Sequence, residues 1–205
     1  MTEALIAGLL VGLSAAVFVA GAAMTVMETA IRRGLSVALA GGIGIAAGDA
    51  VWAAVAAAAG AAISQLFAPW ATALQWAAIG VIGVLLVLAV RELIRPEPPA
   101  PVAELPGSPL RAYGVFLLHT LGHPVTAVYF LSIILGAAPR YGAAESSAFV
   151  AGVFLASLSW QWILATAGAL RRRTFSGRAR RGVLALDCVL LALLIAYMAL
   201  GLHRR

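Results

Sequence analysis

The chain has 205 residues, 63% of them hydrophobic, with a mean hydropathy of +1.01 and a formal net charge of +6. Apolar content this far above the roughly 45–50% of soluble domains excludes a soluble globular protein. The single cysteine, Cys188, excludes a disulfide framework and a two-cysteine relay. A basic balance carried wholly by arginine reads as membrane topology rather than nucleic-acid binding.

Apolar stretches of about 20 residues, the length that crosses a bilayer, run at roughly 4–27, 35–63, 71–94, 112–137, 145–170 and 182–202. They are continuously apolar rather than alternating, which excludes barrel strands. The predicted fold is an all-α integral membrane protein, a single membrane domain over 1–205 with six transmembrane helices. Span one follows Met1-Thr2-Glu3, which lacks the positive n-region of a signal peptide, so the span is expected to stay in the protein. Gly21, within Ala20-Gly21-Ala22, is expected to loosen it.

Span two carries Gly41, Gly42, Gly44 and Gly48 and then Asp49, the only acid deep within the first three spans. Gly44 and Gly48 form a GxxxG pair that lets another helix approach closely. A carboxylate at mid-membrane costs about 2.5–3.5 kcal/mol on insertion scales, so Asp49 must face a wet cavity or a partner. It is a candidate proton or cation site or a counter-ion for a substrate amine; a protonated acid tying two helices together is the structural alternative. After span three, where Trp70 beside Pro69 reads as an interfacial belt residue, comes RPEPPAPVAELPGSP, residues 95–109. Proline at this density ends the helix and favours an extended connector. It divides the chain into a first three-helix unit, 1–94, and a second, 110–205.

In span four, Gly122-His123-Pro124 interrupts the apolar run. Pro124 removes a backbone donor and frees a carbonyl one turn back, so a broken helix here can offer backbone polar groups to a ligand. His119 and His123 share one helical face, with proton relay, substrate hydrogen bonding and helix contact open to them. As a metal pair they lack further ligands, and neither metal nor cofactor is expected. In span six, Asp187 is expected to pair or snorkel at the interface near Arg180 and Arg181.

Span five repeats span two at one constant offset: Gly44 falls on Gly152, Gly48 on Ala156, Asp49 on Ser157, Trp52 on Trp160 and Gly60 on Gly168. Three spans per unit force the second copy into the membrane upside down, so two inverted three-helix repeats are expected around a central site. Trp52 and Trp160 would sit symmetrically about that axis, as cavity walls or as packing, with Gly60 and Gly168 in helix contacts. The arginines sort accordingly: Arg32, Arg33, Arg91, Arg95, Arg111, Arg171, Arg172, Arg173, Arg178, Arg180 and Arg181 fall on one side, and Arg140, Arg204 and Arg205 on the other. The positive-inside rule then predicts both termini outside the cytoplasm.

Taken in order, these features resemble the LysE/RhtB family of amino-acid exporters. They are the glycine break of span one, Arg32-Arg33-Gly34, GxxxGD at Gly44, Gly48 and Asp49, the proline-rich connector, FLLHTLGHPVTAVYFLSII in span four, GVFLASLSW in span five and the arginine-rich loop before the last helix. The resemblance implies a secondary transporter of the cell membrane, not an enzyme. It would export amino acids or close derivatives on a proton or cation gradient, as a homodimer, with its substrate site around Gly21, Asp49, His123 and Pro124. The family usually has Pro-Gly-Pro where this chain has Ala20-Gly21-Ala22, and asparagine where it has His123. A cation or metal transporter of the same superfamily and a non-transporting structural partner are the alternatives. No paired carboxylates, HExxH or serine elbow appears in the spans to suggest catalysis.

Overall fold

Alanine and leucine fill the apolar runs, and both are strong helix formers. In lipid a helix is also the one segment that closes all its own backbone hydrogen bonds. The computed structural model describes residues 1–18, 20–66, 71–95, 105–123, 126–127, 129–130, 142–171 and 177–203. These residues form seven helices: α1 (Thr2–Phe18), α2 (Ala20–Arg33), α3 (Leu35–Leu66), α4 (Ala71–Ile94), α5 (Pro109–Gly122), α6 (Ala143–Arg171) and α7 (Gly177–His203). The first predicted span therefore falls on two helices, α1 and α2, with Val19 between them outside the described residues. Most of the connector, the loop at 172–176, Arg140, Arg204, Arg205 and Trp70 also lie outside them.

Among the described residues, three helical stretches are long and apolar enough to cross a membrane: Leu35–Ala58, Trp76–Ile94 and Ala143–Leu170. Thr2–Val17 and Leu184–Leu200 are shorter apolar helices. Large apolar side chains on the outer faces of α4 and α7, among them Val84, Val87, Leu88, Val189 and Leu193, are exposed, as suits a lipid surround.

Helix boundaries follow local chemistry. Gly34 takes φ +97, a conformation that glycine adopts without penalty, and turns the chain from α2 into α3. Arg32 and Arg33 close α2, where positive charge complements the helix dipole, and Arg32 pairs with Glu28 at 2.8 Å. Ser108 caps α5, accepting from the Arg111 N–H at 3.4 Å, and Pro109 follows in the first turn, where a missing N–H costs nothing. The helix stops at Gly122 because His123 precedes a proline, which drives it to an extended conformation (φ −78, ψ 115). Pro124 itself lies outside the described residues. Helical backbone resumes at Thr126 and Ala127, whose N–H reaches back to the His123 carbonyl at 3.2 Å.

The packing has a reciprocal pattern. α1 lies along α6, α5 lies along α3, α3 crosses α6, and α4 packs on α7. Two of these contacts bring backbone against backbone. A Cβ on Gly44 of α3 would strike the Tyr113 carbonyl and the Leu117 nitrogen of α5, and one on Gly152 of α6 would strike the Leu5 carbonyl and the Leu9 nitrogen of α1. One apolar cluster joins Val11, Ile82, Phe149, Val153, Leu191 and Met198 with Tyr129 and Phe130; a second joins Val26, Met27, Ile45, Phe116 and Leu164.

Candidate transport site

Asp49, near the middle of α3, is 3% exposed, and Ser157 of α6 is fully buried. Where the two helices cross, Ser157 Oγ donates to Asp49 Oδ2 at 2.6 Å, the short distance usual for a hydroxyl bound to a carboxylate. The small residues of α3 keep its neighbours close: a Cβ on Gly42 would lie 3.0 Å from Gln161 Cβ of α6, and one on Gly48 would meet the Thr120 side chain of α5.

Beside the pair is a cavity with room for about one water molecule. Its polar wall is Asp49 of α3, His119 and Thr120 of α5, His123 and Thr126 just beyond α5, and Gln161 of α6; Ala15, Ala16 and Ile45 form the apolar wall. The two imidazoles are 5.4 Å apart between ring centres, with His119 exposed and His123 half-buried. The Thr120 hydroxyl is spent on the Phe116 carbonyl at 3.0 Å. His123 Nδ1 and both polar atoms of the Gln161 amide are buried without a partner among the described residues. Each such group carries a desolvation cost of about 1–3 kcal/mol that a ligand or water would offset. The segment after α5 is pinned to α1 through Tyr129, whose hydroxyl lies 2.5 Å from that of Ser14 and 3.1 Å from the Val11 carbonyl.

Of the residues singled out from the sequence, Asp49, Ser157, His119 and His123 come together here, with Gly48 directly behind Thr120. Trp52 and Trp160 do not join them. Each lies three positions after the Asp49–Ser157 pair, about 60° short of a full helical turn. Trp52 packs against the first apolar cluster and Trp160 against the second, both with unpartnered indole N–H groups. Gly168 packs on Met27 and Ala30 of α2. Gly21 lies near the start of α2 and Gly60 in the second half of α3. Thr120, Thr126 and Gln161 escaped the sequence reading. Gln161 had a usable signal, since an amide one turn after Ser157 must share its face.

Chemically, the site offers one carboxylate, two imidazoles, an amide and hydroxyls around a small, partly open space. It can take up a proton or a small cation and hydrogen-bond a polar solute. Among the described residues no three His, Cys, Asp or Glu side chains converge as a metal site. Long apolar helices that bury a carboxylate where they pack define a membrane protein. More particularly, the chain belongs to the LysE type translocator family, whose model matches residues 13–203. No curated protein and no solved structure matches it. Family membership makes it a membrane translocator of small solutes.

Proposed function

We propose that the chain is a secondary transporter that exports amino acids or close derivatives from the cytoplasm, coupled to a proton or cation gradient through Asp49. The observation that carries this reading is the hydrogen bond between Asp49 and Ser157 across the α3–α6 crossing. These two residues occupy the same position in the two halves of the chain, 108 residues apart. A contact between equivalent positions is what a two-fold axis in the membrane plane would create, and a carboxylate on such an axis can be reached from either side as the repeats rock.

The same offset relates other contacts. Gly44 against Tyr113 and Leu117 corresponds to Gly152 against Leu5 and Leu9, and Gly41 against the Phe116 ring corresponds to Phe149 against Gly8. These correspondences support residues 1–94 and 110–205 as two inverted repeats joined by the 95–109 connector. α5 would then slide on α3 as α1 slides on α6, across interfaces held close by glycine. Proton uptake at Asp49 would weaken its hold on a substrate amine and tie release to the gradient. His123 and His119 extend the polar path from Asp49 to an exposed imidazole. The reading includes a homodimer in the cell membrane with both termini outside the cytoplasm.

The test is efflux of preloaded radiolabelled amino acids from proteoliposomes under an imposed pH gradient. Gradient-driven efflux of one chemical class supports the proposal; retention of all twenty overturns it.

A further inference from the structure

The Gln161 amide is the most conspicuous polar group that the coupling scheme leaves unused. It is fully buried, its Oε1 and Nε2 have no partner among the described residues, and it lines the same cavity as Asp49. A buried amide with both ends unsatisfied is poor material for a helix interface, because an apolar side chain of the same shape would be neutral or better there. It suits a ligand that brings an acceptor and a donor side by side.

We infer that Gln161 is the substrate-orienting residue of this transporter, binding the head group that all α-amino acids share rather than a particular side chain. This rests on the amino-acid transport reading. Nε2 donates to the substrate carboxylate and Oε1 accepts from its ammonium, whose charge Asp49 balances. Among the described residues the cavity wall contains no lysine or arginine, so the carboxylate depends on neutral donors, the Gln161 amide and the Thr126 hydroxyl among them. Gln161 and Ser157 are one turn apart on α6, so the head group would lie along the same helix face that holds Asp49. The present cavity holds no more than water, so binding requires α5 to draw back from α3. The interface through Gly44 has no side chain on the α3 side to obstruct that movement.

The test uses purified full-length protein in proteoliposomes, with the twenty L-amino acids as probes and then the methyl ester and N-acetyl form of each one carried. Gln161→Met keeps the bulk of the side chain and removes both hydrogen bonds. It is expected to raise KM about tenfold or more, the value of one hydrogen bond to a charged group. The dependence of transport on the pH gradient should persist, and the ligand-free melting temperature should stay at or above that of the native protein. The methyl ester should compete poorly with the native protein, and the advantage of the free acid over its ester should vanish in Gln161→Met. If Gln161→Met does not fold, Gln161→Asn, which withdraws the amide by one methylene, must show the same rise in KM. An unchanged KM in the folded variant overturns the role of Gln161 while leaving the transporter reading intact. A native protein that carries and binds none of the twenty overturns both.

Discussion

At the level of single residues, the site is organised by what a carboxylate demands of an apolar interior. Asp49 is accommodated because Ser157 donates to it and a small cavity with polar side chains in its wall adjoins it. Ser157→Ala deletes that donor and leaves a buried acceptor short of a partner. The expected cost is about 1–3 kcal/mol, read as a lower melting temperature in detergent; an unchanged melting temperature would mean that the carboxylate gains nothing from the serine. Asp49→Asn keeps size and hydrogen-bonding capacity but not charge, so the protein should fold normally while losing response to an imposed pH gradient, measured by solute flux. Asp49 and Ser157 were both legible in the sequence because an intramembrane acid stands out and its partner sits at the matching place in the repeat. Gln161 was passed over because an uncharged amide among tryptophans stands out less than an acid, and its one signal was the helical spacing from Ser157. What sets its amide apart is the absence of a partner among the described residues, which only the packed structure reveals.

At the level of helices, the governing fact is backbone contact. Gly44 and Gly152 each face a carbonyl and an amide nitrogen of the neighbouring helix, which cannot rotate away as a side chain would. Gly44→Val and Gly152→Val should therefore each destabilise the fold by about 1–3 kcal/mol or more through overpacking. Gly80→Ala and Gly83→Ala on α4, where a Cβ would meet nothing within 4 Å, should be close to neutral. Thermal unfolding of the four variants checks the contrast, and equal losses at all four would contradict the packing account. Helix existence was readable from apolar run length, and the stop at Gly122 from the proline that follows His123. Span one was less readable: it falls on α1 and α2, and Val19 between them lies outside the described residues. The inward or outward facing of Trp52 and Trp160 was not readable either. Both lie three residues from the central pair, and a helical offset of that size leaves them free to fill apolar clusters instead of the cavity.

At the level of the whole molecule, the arrangement of charge makes a topological prediction. Arg32 and Arg33 stand at the end of α2, whereas Met1 approaches Glu145, near the start of α6, at 3.9 Å. The N-terminus and the start of α6 therefore share one face, as odd-numbered spans of an alternating chain require. In a Cys188→Ala background, Arg33→Cys should react with a membrane-impermeant maleimide only from the cytoplasmic side, and Ser147→Cys only from outside. Labelling of both from one side would contradict the alternating topology, and labelling with the sides exchanged would contradict the proposed orientation. On the proposed inverted repeat, the packing of α1 on α6 and of α5 on α3 would form two equivalent sliding interfaces about the Asp49–Ser157 contact. The most direct test of this account is flux of a carried amino acid through native and Asp49→Asn proteoliposomes, each measured with and without an imposed pH gradient. The account predicts that the gradient accelerates flux only in the native protein; an equal acceleration in Asp49→Asn would contradict it.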